Sequence, residues 1–188
     1  MPLPAPEIQR EALHTRTLRV DAYSRADGQW ELEAELIDFK HYDFPRRPGE
    51  PMHRAGDPVH HMHLRITFDD DFTVTAAQAA YDAAPYGQHC SAIAPAYDGL
   101  VGMNLLKGFR ETVRRRFGRV NGCTHMTELS YVLPTVAVQA MSAKRRAEQS
   151  QDSEKRPFQL GGCHAYKLDS PVTKEFYPKW YVAPATEN

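Results

Sequence analysis

A chain of 188 residues, 41 % hydrophobic and 25 % charged, has the apolar material for one folded core and little room for a second, which excludes wholesale disorder. Its 23 Lys and Arg against 24 Asp and Glu give a formal net charge of −1, without the basic excess that marks nucleic-acid binding. No window approaches the ~20 apolar residues of a membrane span. The opening Met1-Pro2-Leu3-Pro4-Ala5-Pro6 does not read as a secretory signal, and three cysteines, an odd number, argue against a disulfide framework. A cytoplasmic protein with neither nucleic acid nor membrane as partner is expected.

Residues 1–14 read as a flexible, proline-punctuated arm. Thr17–Tyr23 then alternates, Leu18, Val20 and Ala22 against Arg19, Asp21 and Tyr23, the period of a half-buried strand. Ala26-Asp27-Gly28-Gln29 supplies a turn, and a second strand follows with Trp30, Leu32, Ala34 and Leu36 on one face and Glu31, Glu33 and Glu35 on the other. From His41 to Pro58, four prolines exclude regular structure over most of a loop long enough to serve as a lid or binding loop. His60–Phe68 is a third strand, with Met62, Leu64, Ile66 and Phe68 opposite His61, His63, Arg65 and Thr67. Asp69-Asp70-Asp71 turns the chain into a fourth strand, in which Phe72, Val74 and Ala76 alternate with Thr73 and Thr75. Short turns between successive strands predict an antiparallel meander.

Beyond Pro85 the period becomes helical. Phe109, Val113 and Phe117 form one stripe, ended by Gly118, and Met126, Leu129 and Leu133 form another that starts near Thr124, with Pro134 kinking that helix or opening a new one. Ala143–Arg156 is almost wholly polar. Leu160–Tyr181 is Gly-rich, then aromatic, and reads as a short strand and a last helical turn. The fold class is therefore α+β: a small four-stranded antiparallel sheet packed by C-terminal helices, a single domain over 15–183 with a tail at 184–188. An apolar sheet face of this size often completes its burial by forming a homodimer.

Three constellations carry chemistry. Glu31, Glu33 and Glu35 would meet His61, His63 and Arg65 if their strands pair, either as cross-strand charge pairs or as a polar pocket; His-x-His on a strand also has metal-ligand spacing. In Gly122-Cys123-Thr124-His125-Met126-Thr127-Glu128, Gly122 allows a sharp turn and Cys123 lies at a helix start, where a thiolate is favoured. His125 and Glu128 are neighbours on one helix face, so Glu128 could tune His125 as a general base. Finally, each cysteine has a histidine close by, and Cys90, Cys123, Cys163 and His125 would suit a zinc or iron ion, although no tight Cys-x₂-Cys pair is present.

Tyr42-Asp43-Phe44-Pro45, His60–Thr67, Asp82-Ala83-Ala84-Pro85-Tyr86, Gly122-Cys123-Thr124-His125-Met126-Thr127-Glu128, Cys163-His164-Ala165 and Tyr177-Pro178-Lys179-Trp180 together resemble a bacterial family catalogued as domain of unknown function 2889. The resemblance spans roughly Leu18 to Trp180 and implies recurring residues of chemical character: His60, Asp82, Pro85, Cys90, Cys123, His125, Glu128, Cys163 and His164. The sequence departs from the family pattern at His61 and His63, which points to a different substrate. No dinucleotide, Walker or nucleophile-elbow motif is present. The leading expectation is a cofactor-independent lyase of aromatic compound catabolism. It would cleave a C–C or C–O bond in an oxygenated aromatic or phenolic compound by acid–base chemistry. His125, tuned by Glu128, would move the proton, and His60 or Tyr86 would supply the second group. Tyr42, Phe44, Arg46, Arg47, His61 and His63 would bind the substrate. The alternatives are a zinc- or iron-dependent enzyme using Cys90, Cys123, His125 and Cys163, and a non-catalytic binding or assembly module.

Overall fold

The computed structural model describes residues 2–151 and 154–184, so most of the expected tail lies outside the described residues. The chain forms two compact units, Met1–Ala140 and Met141–Asn188. In the first, residues 2–13 form neither helix nor strand. Four strands then follow: β1 (His14–Ser24), β2 (Trp30–Lys40), β3 (Pro58–Phe68) and β4 (Val74–Ala83). They pair antiparallel in the order β1-β2-β3-β4, an uninterrupted meander. With the helices that follow, the fold class is α+β.

The strands run longer than their apolar runs, because charged residues continue the alternation. Leu32, Ala34 and Leu36 of β2 and Met62, Leu64, Ile66 and Phe68 of β3 are buried on the inner face. β1 is an edge strand, and its Leu18 stays 40 % exposed. On β4 the parity differs from the alternation of Phe72, Val74 and Ala76. A register shift at Thr67/Phe68 sets Ala76 opposite Thr67 on the outer face and leaves Ala77, Ala79 and Tyr81 in line with Ile66, Leu64 and Met62. Phe72 precedes the strand, buried in a turn at φ 65°.

Past β4 come α1 (Gln88–Ser91), a 3₁₀ turn (Ala94–Leu100), α2 (Phe109–Phe117) and α3 (Thr124–Ala140). The buried stripes of α2 and α3 match the predicted Phe109, Val113, Phe117 and Met126, Leu129, Leu133. α3 lies on the inner face of β1, β2 and β3, which brings its first turn to the sheet end where β1 begins and β2 finishes. Pro134 does not break α3. The helix runs through it, and one turn earlier the Ser130 hydroxyl donates to the Met126 carbonyl at 2.8 Å. Gly122 has φ −162°, extended backbone open to any residue, so the expected sharp turn is not its reason. The reason is space: a Cβ there would stand 2.4 Å from the Phe117 carbonyl oxygen.

The second unit contains α4 (Ser142–Gln151) and α5 (Pro171–Phe176), followed by a 3₁₀ turn over Pro178–Trp180. The short strand expected after Leu160 is absent among the described residues. Gly161, at φ +86°, turns the chain back instead, and its N–H donates to the Tyr166 carbonyl. Ser170 caps α5, accepting from the Thr173 N–H at 3.1 Å. No helix among the described residues is long and apolar enough to cross a membrane.

Candidate functional site

At one end of the inner face, the apolar rows of three neighbouring strands turn polar together. In register, Arg16 of β1 faces Asp38 of β2, and Asp38 faces His60 of β3. Each occupies the parity that elsewhere carries Leu, Ala or Met, so all three point under α3. Asp38 is only 2 % exposed, and burial of a carboxylate is costly unless it is paired. Arg16 supplies the pairing as a two-pronged clamp, Nε and Nη2 each 2.7 Å from a different carboxylate oxygen. His60 Nδ1 lies 3.1 Å and His14 Nε2 3.2 Å from the same carboxylate. From α3 above, His125 Nε2 comes to 3.6 Å, and Glu128 pairs with the Nη1 of Arg16.

The electrostatics follow from this packing. Burial pushes the Asp38 carboxyl up, but the Arg16 guanidinium and the imidazoles of His60 and His14 outweigh it and hold the group below the usual carboxylate range. An ionised Asp38 can only accept, so His60 must carry its hydrogen on Nδ1, and the neutral ring keeps its lone pair on Nε2. His60 is held below the ordinary histidine value, first by burial and then by His125, against the opposing pull of Asp38. The two rings stack with centroids 3.9 Å apart and planes at 31°. Their side chains are 18 % and 24 % exposed.

Cys123 stands at the start of α3. The Tyr97 hydroxyl fastens it there, donating to its carbonyl and accepting from its N–H, each at 3.0 Å. Its sulfur is 3.9 Å from His125 Nδ1. Burial pushes the thiol up, yet His125, the backbone N–H groups of the first helical turn and the Tyr81 hydroxyl bring it down to about 7. The hydroxyl of half-buried Tyr81 is enclosed beside it with no hydrogen bond of ordinary geometry, and burial and the thiol together raise its phenol above the usual range. Cys123 should therefore alkylate with an inflection near pH 7, read peptide by peptide with iodoacetamide and mass spectrometry. In His125→Gln the inflection should move up towards the ~8.5 of a free thiol. An unmoved inflection would remove His125 as the cause.

The predicted residues divide over three places. His60 and His125 come together. Glu128 joins their cluster through Arg16, while the carboxylate beside His125 is that of Asp38. Tyr86 stands elsewhere: it is 60 % exposed and lies under the Arg47 guanidinium, 4.5 Å from the ring centroid. With Phe44, Arg46, Arg47, His53 and Val59 it lines a cavity of about 200 Å³ beside the proline-rich loop. Within that loop Phe44 pairs with His53 in an isolated antiparallel bridge, their rings 4.7 Å apart, and the Lys40 ammonium lies over the Phe44 and Tyr42 rings. Loop and cavity thus hold Tyr42, Phe44, Arg46 and Arg47, but not His61 and His63, whose odd parity puts them on the outer face of the sheet with Glu35 and Asp82.

Two groups among the described residues bring three metal-ligating atoms within 4.8 Å of one another: Asp38, His60 and His125 inside, and Glu35, His61 and His63 outside. Neither contains a cysteine. Cys90 and Cys123 are half-buried free thiols of the first unit, and Cys163 is an exposed one of the second. Asp38, Arg16, His14 and Tyr81 were not expected. A parity signal exists for the first three: Asp38 continues the row Leu32, Ala34, Leu36, and His14 and Arg16 lead into the row that starts at Leu18.

No curated protein and no solved structure matches the chain. The family model described as a protein of unknown function (DUF2889) matches residues 14–139, from the first residue of β1 to the last turn of α3. It covers the whole Arg16–Asp38–His60–His125 cluster, whereas Cys163, His164 and the closing Tyr177–Trp180 motif lie beyond it. The chain belongs to the DUF2889 family.

Proposed function

We propose that the protein is a small-molecule enzyme that works by acid–base catalysis, a lyase that needs no cofactor. The observation that carries this reading is the pair of stacked imidazoles against one buried, arginine-clamped carboxylate. Burial and the neighbouring ring both oppose a positive charge on His60, so the pair shares one proton through the reaction rather than holding two. One ring then serves as base while the other serves as acid. His60, kept neutral with its free lone pair on Nε2, is the base, and His125 is the proton donor to a leaving oxygen or carbon. Removing a proton at one position while protonating another is what elimination or retro-addition requires.

The substrate class is taken from the cavity beside the proline-rich loop, which Val59 lines but His60 and His125 do not, so the substrate has to reach from it to the imidazole pair. Phe44 and Tyr86 offer aromatic walls, and Arg46, which has no ion-pair partner among the described residues, offers a cation to a phenolate or carboxylate. An oxygenated aromatic acid or phenol fits those walls. Three free thiols suit a reducing cytoplasm, and the exposed Leu18 edge of the sheet suits a homodimer contact. In the test, purified protein is incubated with methoxylated phenols and aromatic carboxylic acids, and the products are separated by mass spectrometry. Cleavage of one member into two smaller products without added cofactor is expected, along with its loss in His125→Ala. Undiminished turnover in that variant would overturn the reading.

A zinc- or iron-dependent reaction is the second reading, favoured by the one carboxylate and two imidazoles of Asp38, His60 and His125. It ranks below the first because Arg16 already occupies both oxygens of Asp38. Metal analysis of wild type beside His60→Asn/His125→Asn, both purified without chelator, separates the two, since zinc or iron that is lost with those imidazoles belongs only to the second.

A further inference from the structure

The outer face of the sheet carries a second cluster with no part in the proposed acid–base chemistry. Glu35 and His63 are register partners across β2 and β3. His61, two residues earlier on the same face, reaches Glu35 with Nε2 at 2.7 Å, and its ring lies 4.6 Å from that of His63. Asp82 completes the group from β4, 2.9 Å from His63 Nε2 and 3.7 Å from His61 Nδ1. Its position depends on an irregularity. Met62 pairs with Tyr81 and His61 with Ala83, so Asp82 is the extra residue of a bulge, the device by which a strand re-aims one side chain.

We infer that Glu35, His61 and His63, oriented by Asp82, form a binding site for a divalent transition metal of zinc's class. Charge is the first argument. Neither Glu35 nor Asp82 has a lysine or arginine partner among the described residues, while one step along the same strands Glu33 is paired by Arg65. Carboxylate and imidazole are both zinc ligands, and two carboxylates without a lysine or arginine partner are a set that a dication can balance. Geometry is the second argument. The ligand atoms of Glu35, His61 and His63 already lie within 4.8 Å of one another on three hydrogen-bonded strands. Ligands about 2.0–2.2 Å from a tetrahedral ion stand just over 3 Å apart, so small side-chain rotations suffice. The third is access: a groove of about 420 Å³, lined by Asp21, Glu33 and Gln78 among others, reaches Glu35 and His63 at one side of the cluster and leaves room for a water ligand there.

The site is independent of the acid–base reading, and its test keeps the two apart. Zinc is titrated into the full-length protein, and affinity is read by calorimetry against a chromophoric chelator. Wild type is expected to bind, His61→Asn/His63→Asn to bind at least about tenfold more weakly, and Asp82→Asn to lose about tenfold. His60→Asn/His125→Asn, which dismantles the inner cluster, should keep the wild-type affinity of this site within about twofold. Cobalt supplies the second readout: it should give ligand-field bands without the intense near-ultraviolet band of a thiolate ligand. Failure of wild type to take up zinc in large excess, an unchanged affinity in His61→Asn/His63→Asn, or a thiolate band in the cobalt form would each overturn the assignment.

Discussion

Replacing Asp38 by Ala is expected to destabilise the first unit by about 2–4 kcal/mol, read as a drop in the denaturant midpoint at unchanged slope. The carboxylate is 2 % exposed and takes both prongs of Arg16 as well as His60 Nδ1. Its removal strands a guanidinium beneath α3 and leaves the His60 N–H without an acceptor. Breaking a buried pair from one side typically costs about 3–5 kcal/mol. The lower range applies because Arg16 is 29 % exposed and keeps Glu128. Against a total stability of ~5–15 kcal/mol the loss is large. Asp38→Asn keeps the volume but turns one acceptor into a donor facing Arg16 or His60, so it should recover little. The pH dependence carries the same signature. Both Asp38 and His60 have folded values below their unfolded ones. Each therefore adds stability that is complete above its unfolded value and is lost as pH falls through the folded one. Wild type should weaken in two stages on acidification, first below ~6.5 as His60 takes a proton, then below ~3.9 as Asp38 does. Asp38→Ala should lack the second stage. A variant within ~0.5 kcal/mol of wild type would show that the cluster does not hold the sheet end together.

How far this cluster can be read from the residues alone depends on parity. Alternation in Trp30–Leu36 and His60–Phe68 places β2 and β3 and their inner faces, because an edge-connected meander has no long crossovers to misassign. The same alternation continues to Asp38, but a carboxylate on an apolar row looks like the end of the strand unless its partner is known. That partner, Arg16, lies 22 residues away and meets it only through the β1–β2 register. Tyr81 was beyond reach for another reason: the two irregularities in the β3–β4 pairing invert part of the parity of β4, and no local signal marks a bulge. Tyr86 illustrates the opposite error. It is expected as a second acid–base group beside His125, yet the chain leaves the sheet at Ala83 and carries Tyr86 to the Arg47 side. In α3, by contrast, His125 and Glu128 at three-residue spacing share the face turned towards the Arg16–Asp38 pair, as helical geometry requires.

Under the proposed acid–base reaction, His60→Gln and His125→Gln are each expected to lower turnover by about 10²–10⁴-fold, and the double variant should be little worse than either single one. The non-additivity follows from the shared proton. A base that has lost its acid, or an acid that has lost its base, leaves the same half-reaction, so the second substitution removes nothing that still works. The pH profile distinguishes this from a merely structural contribution. The acidic limb of kcat/KM should report protonation of His60 in the free enzyme and fall below the ordinary histidine value, because burial and the neighbouring His125 both oppose a charge there. Weakening that opposition by His125→Gln should move the limb upward in whatever turnover remains. Arg16→Lys tests the support beneath the pair. A lysine cannot hold both oxygens of Asp38, so the carboxylate can rotate and His60 loses its fixed Nδ1–H partner. The outcome expected is a lower kcat with little change in KM, since Arg16 faces Asp38 and Glu128 rather than the cavity walls. If the two histidine effects instead multiplied in the double variant while the acidic limb stayed put, His60 and His125 would be acting as separate groups, and the shared-proton mechanism would have to be given up.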